Sequence, residues 1–281
     1  MEINDVDKLS ALSHPHRLAV FRLLVRRYPD DVRAGEISDA LRFKPNTTSV
    51  YLGALRAAKL LTCRREGTSL FYKAHMDSAR DLVQFLFSDC CRERISLDLP
   101  SLAIGALSEP MRDTRTNVLF LCSGNSARSI CAEALLRDMA GDRFNAFSAG
   151  TRPAACPKEQ ALSVLEMNGH DTNPLYTKEM CDFQAQDAMS LDVVITLCDR
   201  AANEECPSWR GHPINSHWSI ADPSRVSGST VEQKAAFEQM YDQLREKISR
   251  FSDLNLQRTL RSDLQTAIDA IGANDQEGIS A

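Results

Sequence analysis

A run of apolar residues, Val118-Leu-Phe-Leu121, passes directly into Cys122-Ser-Gly-Asn-Ser-Ala-Arg128-Ser129 and then into a helix-forming stretch. An unbroken apolar run of this length reads as a strand buried on both faces of a parallel sheet. A Cys-x5-Arg loop between such a strand and a helix wraps backbone N–H groups around a tetrahedral oxyanion at the helix N-terminus, where the dipole also favours negative charge. Ser123, Gly124, Asn125, Ser126, Ala127 and Arg128 are then the oxyanion-binding residues, with Arg128 able to take two oxygens in bidentate fashion. Cys122 lies under the anion, and the same field, with a hydroxyl from Ser129, is expected to lower the thiol pKa and hold Cys122 as the attacking thiolate. Cys-x5-Arg alone is a common chance pattern. Its placement between strand and helix, with Gly124 and Asn125 inside, gives it specificity.

The surrounding sequence alternates between strand-like and helix-like segments. Further apolar runs at 144–148 and 192–197 enclose a helical segment at 159–168, which predicts an α/β domain with a central parallel sheet over residues 115–255. Ligands of such sheets bind beyond the carboxyl ends of the strands. The spacing of Phe237, Met240, Tyr241, Leu244 and Ile248 predicts an amphipathic helix over 230–250 that closes the domain. Residues 256–281 read as a polar, partly helical tail without an assigned role.

At roughly 150 residues per domain, 281 residues call for a second domain. Residues 1–97 read as mainly α. Leu9, Leu12, Leu18, Phe21, Leu23 and Leu24 follow helical spacing, broken at His14-Pro15. Ile37, Ala40 and Leu41 mark one helix; Lys44-Pro45-Asn46 makes a turn with Asn46 as candidate N-cap; Val50, Leu52, Leu55, Leu60 and Leu61 mark the next. Strands at 61–65 and 69–73 flank Glu66-Gly67-Thr68. The expected fold is a winged helix-turn-helix. A last helix from Ser78 to about Arg94 carries Cys90-Cys91, and residues 98–114 form a linker.

In a helix-turn-helix the second helix enters the major groove, which places Thr47, Thr48, Ser49 and Tyr51 near DNA and Arg64 and Arg65 of the hairpin near phosphates. Basic residues outnumber acidic ones by two over residues 1–110, and acidic residues lead by seven over the remainder. That asymmetry gives the first half only weak support as a polyanion binder. Any small helical bundle also presents a polar face with a few arginines.

Nine cysteines, an odd number, with no secretion-signal pattern at the start, favour thiol chemistry or metal binding over a disulfide framework. No stretch approaches the ~20 apolar residues of a membrane span. A cytoplasmic protein with no membrane partner is expected.

Leu12-Ser-His-Pro-His-Arg-Leu-Ala-Val20, Thr47-Thr-Ser-Val-Tyr-Leu52, Leu55-Arg-Ala-Ala-Lys-Leu-Leu61, the Arg65-Glu-Gly67 hairpin and Phe71-Tyr72 resemble the ArsR family of dimeric metalloregulatory repressors. The resemblance spans roughly 5–95 and implies a homodimer on operator DNA, released by arsenite or a thiophilic metal. The family's best-known inducer cysteines lie on the first helix of the motif, where Gly35-Glu-Ile-Ser-Asp-Ala-Leu41 has none. Cys90 and Cys91 are the substitute ligands, because trivalent arsenic prefers soft thiolates, ideally three; Cys63 or a cysteine of a second chain would supply the third. Two buried cysteines serving only as small apolar residues would read the same way.

From about Thr116 to Phe251 the sequence resembles low-molecular-weight protein tyrosine phosphatases, and within that fold the arsenate reductases that regenerate through an internal disulfide. The likeness rests on the Cys122 loop, Phe147-Ser-Ala-Gly-Thr151, Val194-Ile-Thr-Leu-Cys198 with Cys206-Pro207, and His217-Trp-Ser-Ile-Ala-Asp222-Pro223. It implies Asp222 as general acid, and a relay in which Cys198 attacks Cys122 and Cys206 then attacks Cys198. It further implies arsenate as substrate, thioredoxin or another external thiol as reductant, no tightly bound cofactor, and residual phosphatase activity. Asn125, Glu133 and Ser148 match residues that hold a potassium ion in some members, but Lys178 replaces a further acidic ligand, so no potassium requirement is expected. Ala127 stands where some members have a second loop cysteine. Cys131, Cys156 and Cys181 match no catalytic position. The combined expectation is an arsenic-responsive repressor fused to an arsenate reductase whose product, arsenite, is a possible inducer. Its competitors are a phosphatase fused to a DNA-binding regulator, with Cys198 and Cys206 as bystanders, and a regulator whose second domain binds an oxyanion without turnover.

Overall fold

A computed structural model of the chain describes residues 5–91, 115–185, 188–204, 209, 213–256 and 259–273. It divides into two compact units, Met1–Leu102 and Ala103–Ala281. Cys206, the proposed linker and the end of the expected Ser78–Arg94 helix lie outside the described residues. Among the described residues no helix is long and apolar enough to cross a membrane.

The first unit runs α1 (Asp5–Leu12), α2 (Pro15–Arg26), β1 (Val32–Arg33), α3 (Ala34–Leu41), α4 (Pro45–Ala57), β2 (Leu61–Glu66), β3 (Ser69–Ala74) and α5 (Met76–Phe85), which continues into a π-helical turn at Leu86–Cys90. Its antiparallel sheet has the order β1-β3-β2. The β2–β3 turn holds Gly67 at φ 57°, a left-handed conformation open to glycine. Val20, Leu23, Leu24, Ile37, Leu52, Leu55 and Leu60 are fully buried at its centre. α4 starts at Pro45 with Lys44 as N-cap, two residues earlier than the expected N-cap Asn46. Proline suits the first helical position, because its missing N–H would be unpaired there in any case. Leu9 and Leu18, which fit the helical spacing, are 37% and 40% exposed, and Val6 of α1 and Val83 of α5 are exposed too.

Thr48 is the clearest correction to the expected DNA-facing set. Its side chain is 1% exposed. Oγ1 accepts from Ser38 Oγ at 2.9 Å and donates to the Lys44 carbonyl at 3.3 Å, so it braces α3 against α4 and does not face outward.

The second unit contains β4 (Thr116–Cys122), α6 (Arg128–Ala140), β5 (Phe144–Gly150), α7 (Glu159–Met167), β6 (Val193–Thr196), α8 (Asp199–Asn203), β7 (Ile214–His217), α9 (Thr230–Ser252) and α10 (Arg261–Gly272). The four strands are parallel, in the order β5-β4-β6-β7. β4 is buried on both faces, as its unbroken apolar sequence requires. Val118, Phe120 and Cys122 join the large core with Trp218 and Phe251, while Leu119 and Leu121 pack on the opposite face with Val194 and Trp209. The Ser229–Glu232 capping box starts α9 one residue before Thr230.

Two elements depart from the sequence reading. β7 carries Asn215, Ser216 and His217 and has too few apolar residues to stand out as a strand. The segment read as a tail contains α10, whose Leu264, Ile268 and Ile271 are buried in the large core. α10 packs on β7: Trp218 Nε1 donates to the Ile268 carbonyl at 3.1 Å, and Ser216 Oγ donates to Asp269 Oδ1 at 2.8 Å. A Cβ on Gly272 would meet the His217 carbonyl at 2.4 Å, so the helix end approaches β7 too closely for a side chain.

Candidate active site

The chain leaves β4 for β5 on one side and later returns to place β6 on the other. The carboxyl ends of β4 and β6 therefore flank the crevice at which parallel sheets accept ligands. Register does the rest. Leu121 pairs with Thr196, so Cys122, the last residue of β4, and Cys198, two residues past the end of β6, lie at the same end of two adjacent strands. Both thiols are buried, and both line one cavity of about 620 Å³ together with Arg128 and Asp222.

The Cys122 loop is shaped by what binds its carbonyls. The segment after β5 runs along the loop, and Thr151, Arg152, Ala154 and Lys158 donate their N–H groups to the carbonyls of Cys122, Ser123, Gly124 and Ser126 at 2.8–3.2 Å. Asn125 N–H donates to Cys122 Sγ at 3.2 Å. Ala127, the N-cap of α6, provides no side-chain cap, so the first N–H groups of that helix stay available to an anion. Asn125 has a positive φ of 44° and is fully buried. Its amide donates to Ser129 Oγ at 2.9 Å and Ser148 Oγ at 2.8 Å, and its carbonyl accepts from Lys178 N at 2.6 Å. These bonds hold the strained turn in place.

Gly150 explains the need for glycine at the end of β5. A Cβ there would lie 2.9 Å from the Ser123 carbonyl and 3.1 Å from Asn125 N. Gly150→Ala is expected to push the loop away from Cys122 and lower turnover of a phosphate ester by about 10²-fold, since displacements near 1 Å have effects of that size. Unchanged kcat for p-nitrophenyl phosphate would contradict this account of the loop.

Ser129 Oγ lies 3.0 Å from Cys122 Sγ. Arg128 Nη2 donates to Asp222 Oδ2 at 3.0 Å and Nη1 to the Ile220 carbonyl at 3.2 Å, which brings the Asp222 segment to the mouth of the loop. Ser123 Oγ is 3.4 Å from Cys198 Sγ, and Ala201 N–H donates to that sulfur at 3.4 Å. Four further cations, Arg152, Lys158, Arg200 and Arg225, also line the cavity, against Asp199 and Asp222 as its acids. Such a balance favours an anion.

Glu133 accepts from Lys178 Nζ at 3.0 Å and from Ser148 Oγ. The Lys178 ammonium thus stands beside the three residues matched to a potassium set and supplies a fixed positive charge there. Lys178 N–H also bonds the Asn125 carbonyl, a second tie to the loop. Cys131 is fully buried, and burial pushes its thiol pKa up to about 12, which suits a packing residue. Cys156 and Cys181 are exposed and are absent from the cavity lining.

In the first unit Ser49 is exposed, Thr47 is half-buried, and the Tyr51 hydroxyl is 3.0 Å from His16 Nδ1. Arg64 is already bonded to Asp31 at 3.3 Å and Glu66 at 2.9 Å, whereas Arg65 is exposed and donates to the Gly67 carbonyl. Val50, 68% exposed between Ser49 and Tyr51, is a surface position although it fits the apolar spacing that marks the helix. Cys90 is exposed and Cys91 half-buried.

Residues 117–265 match the family model for low molecular weight phosphotyrosine protein phosphatase. An arsenate reductase of Bacillus licheniformis is 32% identical over 141 residues, covering 50% of this chain and 97% of that protein. An arsenate reductase of Bacillus cereus is 33% identical over 142 residues, covering 50% and 98%. A solved arsenate reductase in a phosphate-binding state is 24% identical, covers 49% of this chain and 96% of its own, and has a TM-score of 0.41. Because the family match takes in more than half of its residues, the chain belongs to the low molecular weight phosphotyrosine protein phosphatase family.

Proposed function

We propose that the second unit reduces arsenate to arsenite and that the first binds operator DNA as an arsenic-responsive repressor. The observation that carries the enzymatic reading is Cys198, a second buried thiol in the cavity of Cys122. Hydrolysis of a phosphate ester has no use for it. The 32–33% identity to arsenate reductases across nearly their whole length points the same way.

The chemistry follows from the groups present. Arsenate sits on the loop N–H groups with Arg128 on its oxygens, and the Cys122 thiolate attacks arsenic. Asp222, held by Arg128, protonates the departing oxygen as water, and Ser129, 3.0 Å from the sulfur, bonds the Cys122 thiolate. Cys198 thiolate then forms an S–S bond to Cys122 as the S–As bond breaks with its electron pair going to arsenic. Arsenic passes from the pentavalent to the trivalent state, and the two cysteines give up two electrons. Cys206 attacks Cys198, frees Cys122, and leaves a Cys198–Cys206 disulfide for thioredoxin or another external thiol. No tightly bound cofactor enters this cycle. The runner-up is a phosphatase fused to a regulator, supported by the family itself.

For the first unit, the succession of α3, a tight turn, α4 and the β2–β3 hairpin supports a winged helix-turn-helix with α4 in the major groove. Thr47, Ser49 and Tyr51 would approach bases, with Arg65 and, on release from its acids, Arg64 at phosphates. Exposed Val6, Leu9 and Val83 on α1 and α5 support a homodimer. Arsenite binding at Cys90 and Cys91 would relieve repression, so that the enzyme's product induces its own synthesis. Binding to DNA from upstream of the gene, followed by fluorescence anisotropy, is expected to weaken at least about 10-fold with arsenite, a coupling of normal allosteric size. The double variant Cys90→Ser/Cys91→Ser should lose the response. Retention of the response in that variant would exclude the pair as the inducer site.

A further inference from the structure

His217 is completely buried and has no task in the chemistry above. Its ring bridges residues on both sides of Cys198. Nδ1 lies 2.8 Å from Thr196 Oγ1 and 3.1 Å from the Thr196 carbonyl. Nε2 faces Asp199 Oδ1 at 3.2 Å, and Ser219 Oγ donates to the same carboxylate oxygen at 3.0 Å. Thr196 ends β6, and Asp199 opens α8. The imidazole therefore staples the two ends of the turn whose interior is Leu197-Cys198.

We infer that His217 is a positioning residue for the Cys198 thiol. The inference rests on the arsenate reductase reading, because only that reaction gives Cys198 a role. Attack on Cys122 needs the Cys198 sulfur to approach along the S–As axis. The backbone of a two-residue turn beyond a strand end does not by itself fix a sulfur to that tolerance. One hydrogen bond, Ala201 N–H to Cys198 Sγ, comes from α8. It orients the thiol only as well as the first turn of α8 is itself held. Among the described contacts of that turn, His217 and Ser219 hold its first residue through Asp199, and His217 holds the strand end through Thr196. Both partners come from the segment that leads to Asp222. The second thiol and the acid are thereby referenced to one element, with Phe120 and Phe251 packed against the neighbouring Trp218 ring.

The test separates the two chemistries of the one cavity. Full-length protein carrying Cys206→Ser is reduced, mixed with arsenate, quenched by alkylation, and the Cys122–Cys198 disulfide is followed by mass spectrometry. Adding His217→Ala is expected to slow disulfide formation about 10- to 100-fold, the range associated with misplacement of a reacting group by up to ~1 Å. p-Nitrophenyl phosphate hydrolysis, which needs Cys122 alone of the cysteines, should stay within about twofold and reports that the fold is intact. His217→Asn keeps an N–H near the Nδ1 position, and His217→Gln keeps one near Nε2; each should recover part of the rate. Disulfide formation at the parental rate in His217→Ala overturns the proposal, as does an equal fall in both activities, which would mark a general structural role. If the parent protein forms no disulfide with arsenate while still hydrolysing the ester, the reductase reading itself fails and takes this proposal with it.

Discussion

Cys122→Ser is expected to remove both arsenate reduction and phosphate-ester hydrolysis, each by about four orders of magnitude or more, the size of loss seen when a covalent nucleophile is deleted. A serine hydroxyl fits the same space but is not ionised at neutral pH. It would receive the Asn125 N–H and the Ser129 hydroxyl without offering a competent attacking atom. Oxyanion binding should survive, because the bonds to the loop carbonyls, the Asn125 side-chain bonds to Ser148 and Lys178, and Arg128 do not pass through the sulfur. Phosphate or arsenate should therefore still raise the melting temperature of the variant, by mass action on the folded state. Substantial turnover in Cys122→Ser would displace the nucleophile to another residue. Loss of anion binding would mean that the sulfur organises the loop.

Cys198→Ser should divide the two reactions. Arsenate turnover with an external thiol is expected to fall by about 10³-fold or more, since the intramolecular attack is replaced by an encounter with a thiol at millimolar concentration, and effective molarities of positioned groups reach ~10⁵ M or more. Hydrolysis of p-nitrophenyl phosphate should change by no more than about twofold. The Ser123 Oγ contact to Cys198 Sγ accepts an oxygen at that position, so the loop is not expected to move. A parallel fall in both activities would place Cys198 in the oxyanion site and not in a relay. No fall in either would make it a bystander and favour the phosphatase reading.

The parts of this site that were legible in the sequence are the local ones. A strand buried on both faces, a five-residue loop and a helix start are adjacent in the chain, so Val118 to Ser129 announced their own geometry. Cys198 and Asp222 were assigned by resemblance; the sequence holds no physical signal for their proximity to Cys122, which depends on the β4–β6 register and on the turn beyond β7. Gly150 lies within the Phe147–Thr151 motif, yet the reason for a glycine there, the approach of Ser123 and Asn125, exists only in three dimensions. β7 escaped because three of its four residues are polar or ionisable, and the core packing of α10, in a tail read as partly helical, because its apolar stripe of Leu264, Ile268 and Ile271 is narrow in a polar segment.

Thr48 shows the opposite failure. Its polar side chain and position near the start of α4 suggested exposure, whereas it is buried against Ser38 of α3. Val50 and Leu18 followed helical spacing and are nonetheless exposed, because spacing defines a face but not which neighbour, if any, covers it. Lys178 lies between these cases. Its substitution for an acidic residue was visible in the sequence, and the structure places its ammonium on Glu133.

The decisive experiment for the arsenate-reducing relay is arsenate-dependent NADPH oxidation by the purified full-length protein with thioredoxin and thioredoxin reductase, with arsenite measured in parallel. If the relay operates, one NADPH is consumed and one arsenite released per arsenate, and turnover is lost when Cys122, Cys198 or Cys206 is replaced by serine. Hydrolysis of p-nitrophenyl phosphate without any arsenate-dependent electron flow, from thioredoxin or from a low-molecular-weight thiol, would contradict it.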